Sequence, residues 1–157
     1  MRTSVSLNDL LVDELKDLYS AENQMIKALP KLARTAESLE LRTAFEEHLE
    51  QTRNQVARLE RIFENLDASP KGKSCATMEG LLEEGSELMD QLDGAVLDAG
   101  LIGAAQKIEH YEIAAYATAR THAEALGMDE AVRLLEETLD EEKQADELLS
   151  QIADQVN

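Results

Sequence analysis

Glu22, His48, Glu109, Glu112 and Glu142 stand where a helical sequence would otherwise present an apolar stripe, with Asp146 one turn beyond Glu142. In IEHYEIAAY, residues 108–116, a helical wheel at about 100° per residue puts Glu112 within about 40° of Leu101, Ala105, Ile108, Tyr116 and Ala119. Glu109 lies about 60° away on the same side, whereas His110, about 160° off, reads as facing solvent or a subunit contact. On other helical stretches Glu22 falls between Leu18 and Met25/Ile26, and His48 shares its stripe with Gln51, Thr52 and Gln55. Glu142 follows Thr138 by one turn. Several carboxylates together in an apolar core are prohibitive, because each unpaired buried ion costs several kcal/mol and like charges repel. No Lys or Arg occupies these inward positions, which leaves shared protons or metal ions as the neutralising agent. Metal is the economical reading, and oxygen-rich donors with one imidazole suit iron or manganese better than structural zinc.

These residues work together only if the helices bring them to one depth. One helix is expected from about Leu7 to Ala36, opened by the S-x-x-D cap Ser6/Asp9, with Pro30 kinking it or ending its regular hydrogen bonding. A second runs from about Ser38 to Leu66, with Leu41, Ala44, Phe45, Thr52, Val56, Leu59, Ile62 and Phe63 inward. After the turn-rich DASPKGKS comes TMEGLLEEGSELMDQL, a shorter amphipathic helix interrupted by Gly80 and Gly85. A long helix spans about Ala95 to Leu126, stopped by Gly127, and a last one starts at Asp129 as N-cap. The short connections near 37 and 127 force two antiparallel hairpins, so the chain is all-α, a four-helix bundle with a short extra helix in its crossover. Glu112 and Glu142, each about 15 residues from Gly127, then face one another. Glu22 reflects onto the neighbourhood of Thr52, between His48 and Gln55, so both hairpins carry their inward polar residues at mid-height.

Composition narrows the function classes. Residues 1–157 read as a single domain, with 3% aromatics and no Trp. Fifteen basic against 33 acidic residues give a formal charge of −18, which repels phosphate backbones and anionic membranes, so no nucleic-acid or membrane partner is expected. The acidity itself fits a solvated helical surface, a salty cytoplasm, or attraction of cations towards an interior site. No signal peptide or membrane span is expected, and the lone Cys75, placed in a loop, fits a reducing cytoplasm. Cys75 has no histidine near it in sequence, and no Gly-rich phosphate cradle occurs, which disfavours a nucleophilic enzyme. The dinuclear pattern Glu-x-x-His is also absent; Glu109-x-x-Glu112 is the neat pair, so a dinuclear centre here is poor in nitrogen.

LLVDELKDLYSAENQ, AFEEHLEQT followed by Gln55, CATMEGLLEEG, AAQKIEHYEIAAY and ETLDEEKQAD together resemble the YciE/YciF family of ferritin-like bacterial stress proteins, in order and over nearly the whole chain. The resemblance implies a ferritin-like bundle assembled as a homodimer, a rubrerythrin-like dinuclear metal site and an association with stress. Glu22, His48, Glu109, Glu112 and Glu142 match the family's motifs. Gln51 replaces a carboxylate of relatives that resemble HLEET, and Arg53 stands where some relatives offer a histidine, which questions a ligand of the second helix and the second metal. The expected function is therefore a carboxylate-rich, di-iron centre that oxidises ferrous iron or consumes peroxide, with Asp146, Gln51 and Gln55 as further ligands or supports. The alternative is a non-catalytic helical stress or interaction protein with a metal-free site; storage in a cage is the weakest reading.

Overall fold

The computed structural model describes residues 5–156, which form α1 (Leu7–Thr35), α2 (Leu39–Leu66), α3 (Ala76–Gln91), α4 (Gly94–Ala125) and α5 (Asp129–Val156), with no strand among the described residues. The helix starts follow local chemistry. Ser6 and Asp9 form the reciprocal cap, each side chain accepting from the other's amide at 3.1 Å. Ser38 caps α2, and α4 ends before Gly127, whose φ of +69° supplies a left-handed turn.

α1 continues through Pro30 to Thr35, within a residue of the expected end, and Leu29, Leu32 and Ala33 on that last stretch are buried. Three expectations change. Gly80 and Gly85 do not interrupt α3, although each weakens a helix by about 1 kcal/mol relative to Ala. Cys75 is not a free loop residue but the buried N-cap of α3. Its amide donates to Ser20 Oγ at 2.8 Å, and its Sγ lies 3.1 Å from the Tyr111 hydroxyl, which donates to Asp17 at 3.0 Å. Asp129 is the first residue of α5 rather than its cap, a one-residue shift that leaves its charge at the positive end of the helix.

α1 pairs with α2 and α4 with α5, while α2–α5 and α1–α4 contacts close the four-sided bundle; α3 lies against α4 and α1. The expected inward stripe of α2 is buried in full, from Leu41 to Phe63. Two apolar halves result. One holds Met25, Leu29, Phe45, Leu101, Ile108 and Leu149; the other holds Leu11, Leu18, Leu59, Phe63, Tyr116 and Leu135. Chain direction follows from this division: α1 and α5 run from the second half to the first, and α2 and α4 run the opposite way. The α2–α4 connection must therefore travel the length of the bundle: residues 67–75 lead from the second half to the first, and α3, about 24 Å at 1.5 Å per residue, lies along the first. Asp98, fully helical and buried, fastens the turn at the end of that path: its carboxylate accepts from the amides of Glu37 at 2.9 Å and Ser38 at 2.7 Å.

Candidate metal centre

Between the two apolar halves lies a layer of buried polar side chains: Glu22 from α1, His48, Thr52 and Gln55 from α2, Glu109 and Glu112 from α4, and Thr138 and Glu142 from α5. They form two groups whose donor atoms lie within 4.8 Å of one another, Glu22/Glu112/Glu142 and His48/Glu109/Glu142. Glu142 belongs to both. The structure thus brings together five of the six expected site residues. Asp146 lies outside both groups; its carboxylate is partly exposed, 3.2 Å from His110 Nε2 and 3.5 Å from Gln106 Nε2.

The supports of the layer leave free valences facing inward. Tyr116, expected in the core and fully buried there, donates its hydroxyl to Glu22 Oε2 at 3.1 Å. Gln55 donates to Glu142 Oε1 at 2.6 Å, and Thr52 donates to the His48 carbonyl at 2.7 Å. Glu22 Oε1, Glu109 Oε2, both oxygens of Glu112 and Glu142 Oε2 remain buried with no hydrogen-bond partner. Both ring nitrogens of His48 share that condition: Nε2 lies 3.1 Å from Glu109 Oε1 but is not aligned to donate to it. Orphaned buried groups at this density are rare in native cores. They are the donors that a divalent ion would collect, so the residues present fit a metal.

Burial and mutual charge shift every acid of the layer. Burial, and then the Glu142 charge, pushes Glu22 up to about 8. Burial first, then Glu142 and Glu22, holds Glu112 well above the carboxylate range. Burial likewise raises Glu109 against the opposing pull of His48. Burial works to lower the His48 imidazole, but Glu109, Glu142 and Glu22 outweigh it and raise it to about 10. Glu142 goes the other way: burial would raise it, but the adjoining Glu109 carboxyl, the His48 charge, the Glu112 carboxyl and the hydrogen bond from Gln55 hold it below the ordinary carboxylate range. Three of the four acids are thus shifted towards their protonated forms and Glu142 away from it.

Arg58, which inward periodicity did not single out, closes one rim. Its guanidinium contacts Glu141 at 2.6 and 3.0 Å, Thr138 at 3.1 Å and Glu137 at 3.2 Å, and it enters neither donor group. Arg53 is exposed and pairs with Glu50, away from the layer. Gln51 lines a cavity beside His48. Asp98 also escaped the sequence reading, although an acid on the apolar side of the first turns of α4 was a visible signal.

The chain is 45% identical to protein YciF of Escherichia coli strain K12 over 150 residues, 94% of this chain and 90% of that protein. The crystal structure of the E. coli stress protein YciF superposes with a TM-score of 0.94 at 43% identity, covering 98% of each chain. A ferritin-like, diiron-carboxylate protein of Bacillus anthracis shares the fold at 18% identity, with a TM-score of 0.75 over 96% of this chain and 99% of that one. The bundle is therefore ferritin-like. The family model described as domain of unknown function DUF892 matches residues 6–157, and the chain belongs to that family.

Proposed function

We propose that this protein is a ferritin-like stress protein whose polar layer binds two transition-metal ions, iron foremost and manganese next. In this reading Glu22, Glu112 and Glu142 hold one ion, His48, Glu109 and Glu142 hold the other, and Glu142 serves both. Asp146, with its partners His110 and Gln106, stays at the rim. The observation that carries the reading is the set of buried, partnerless oxygens on four glutamates together with the two free nitrogens of His48. A bound iron pair would supply electron-transfer chemistry in which ferrous iron is oxidised and peroxide or dioxygen is reduced. The chain's own contribution is orientation and dryness. Tyr116 fixes one oxygen of Glu22 and leaves the other free, and Gln55 does the same for Glu142. The second apolar half, around Tyr116 and Leu135, closes the layer on one side. Among the described residues no helix is long and apolar enough to cross a membrane. A homodimer in the cytoplasm completes the proposal, supported by the resemblance to stress proteins and by the unpaired thiol of Cys75.

Elemental analysis of protein purified without chelators or added metal tests this directly. About two equivalents of iron or manganese are expected in the native chain, and less than one in Glu112→Ala with an unchanged far-UV spectrum. Metal-free native protein would instead favour a non-catalytic stress or interaction role, a reading supported by the capacity of Glu22, raised to about 8, to stay protonated in the core.

A further inference from the structure

The apolar half that contains Phe45 and Leu101 is not filled. A cavity of about 410 Å³ runs through it, with Leu29, Phe45, Met89 and Leu149 among its walls and His48 and Glu109 at its inner end. Gly85, buried in the middle of α3, lines this space, and a Cβ built there would meet no atom within 4 Å. Alanine or leucine at that position would improve both helix propensity and packing, so the glycine keeps open a volume that larger residues could occupy.

The cavity has two polar margins of opposite character. Exposed Lys27 and Lys31, one turn apart on α1, border it on the side facing α3. Lysine ion pairs among the described residues are those of Lys73 and Lys107, so neither margin lysine is engaged by a carboxylate. The other margin, between α2 and α5, carries Glu47, Gln51 and Gln144. In a chain of formal charge −18, two unengaged ammonium groups at the lip of an apolar chamber select an anionic head attached to an apolar body, and Glu47 rejects the same head at the far margin.

We propose that this chamber binds a medium-chain aliphatic monocarboxylate, its carboxylate on Lys27 and Lys31 and its chain along Leu29 and Phe45 with its end beside His48 and Glu109. Lys31 stands about 13 Å along the bundle from the level of Glu22, a span suited to a medium rather than a long chain. The binding site stands without the metal reading, because its walls and its cationic margin need no ion.

Calorimetric titration of the full chain, metal-free and metal-loaded, with sodium decanoate, 1-decanol and sodium acetate tests it. Saturable one-to-one binding of decanoate to both forms is expected, and none of acetate. Gly85→Leu should weaken decanoate and decanol at least about tenfold while the melting temperature holds or rises; if that variant loses helicity, Ala105→Leu takes its place. Lys27→Ala combined with Lys31→Ala should weaken decanoate about tenfold and leave decanol unchanged. Absence of saturable decanoate binding, or full affinity in the filled chamber, overturns the proposal. Equal weakening of decanol by the lysine changes, or binding confined to metal-loaded protein, overturns the placement of the carboxylate. Failure to retain metal leaves these results unaffected, so the two readings fail separately.

Discussion

Glu22 and Glu142 are each held at one oxygen and left open at the other. Tyr116 is the clearest instance: its hydroxyl serves one oxygen of a fully buried glutamate and its ring belongs to the adjoining apolar cluster. Tyr116→Phe should preserve the packing and lose the donor. The expected result is a loss of about 1–3 kcal/mol in metal-free stability by urea denaturation. Metal affinity, measured by competition with a chelator, should weaken about 10- to 100-fold because the carboxylate loses its orienting partner. Glu112→Gln acts in the opposite sense on the metal-free fold. It removes an acid that burial and two neighbouring glutamates hold protonated, so the metal-free variant should melt higher than the native chain at pH 8 while binding less metal.

At the scale of the helix, the turn between α1 and α2 depends on an acid from a distant element. Asp98→Ala would strip the acceptor from two amides at once, and a loss of about 2–4 kcal/mol in equilibrium unfolding is expected, larger than for an exposed cap. That contact also marks how far a one-dimensional reading reaches. Glu112 and Glu142 were legible because an acid stands out against an apolar stripe and a hairpin fixes depth by counting from its turn. The role of Asp98 depends on which helix end lies across from it, as the position of Cys75 depends on Ser20 and Tyr111, and neither neighbour is close in sequence. Asp146 was placed with the ligands because it follows Glu142 by one turn, but a residue four positions on lies about 40° around the helix, enough to carry it to the rim beside His110. The two α3 glycines misled for a different reason: propensity is a weak prior against a rod docked on α1 and α4.

For the whole molecule, protonation of the layer couples stability to pH. Glu22 is raised from 4.5 to about 8, so its favourable contribution is full below pH 4.5 and fades as pH rises to about 8. His48, raised from 6.5 to about 10, contributes fully below pH 6.5 and loses that contribution by about pH 10. Glu142, lowered, contributes above pH 4.5 and loses this as acid protonates it. The metal-free chain should therefore be most stable on the acid side of neutrality and melt at progressively lower temperature from pH 6 to 10. Metal loading requires the carboxylates to shed their protons, so affinity should rise over the same interval, with proton release detectable in weakly buffered solution.

The division of the core by a stratum of acids has a mechanical corollary. Two oily blocks that meet across ionisable groups are poorly glued, and ions seated there would act as rivets. Without them, amide hydrogen exchange should resolve two cooperative blocks, one around Phe45 and Leu101 and the other around Phe63 and Leu135, opening at distinct free energies. Restoring the rivets should merge them into one.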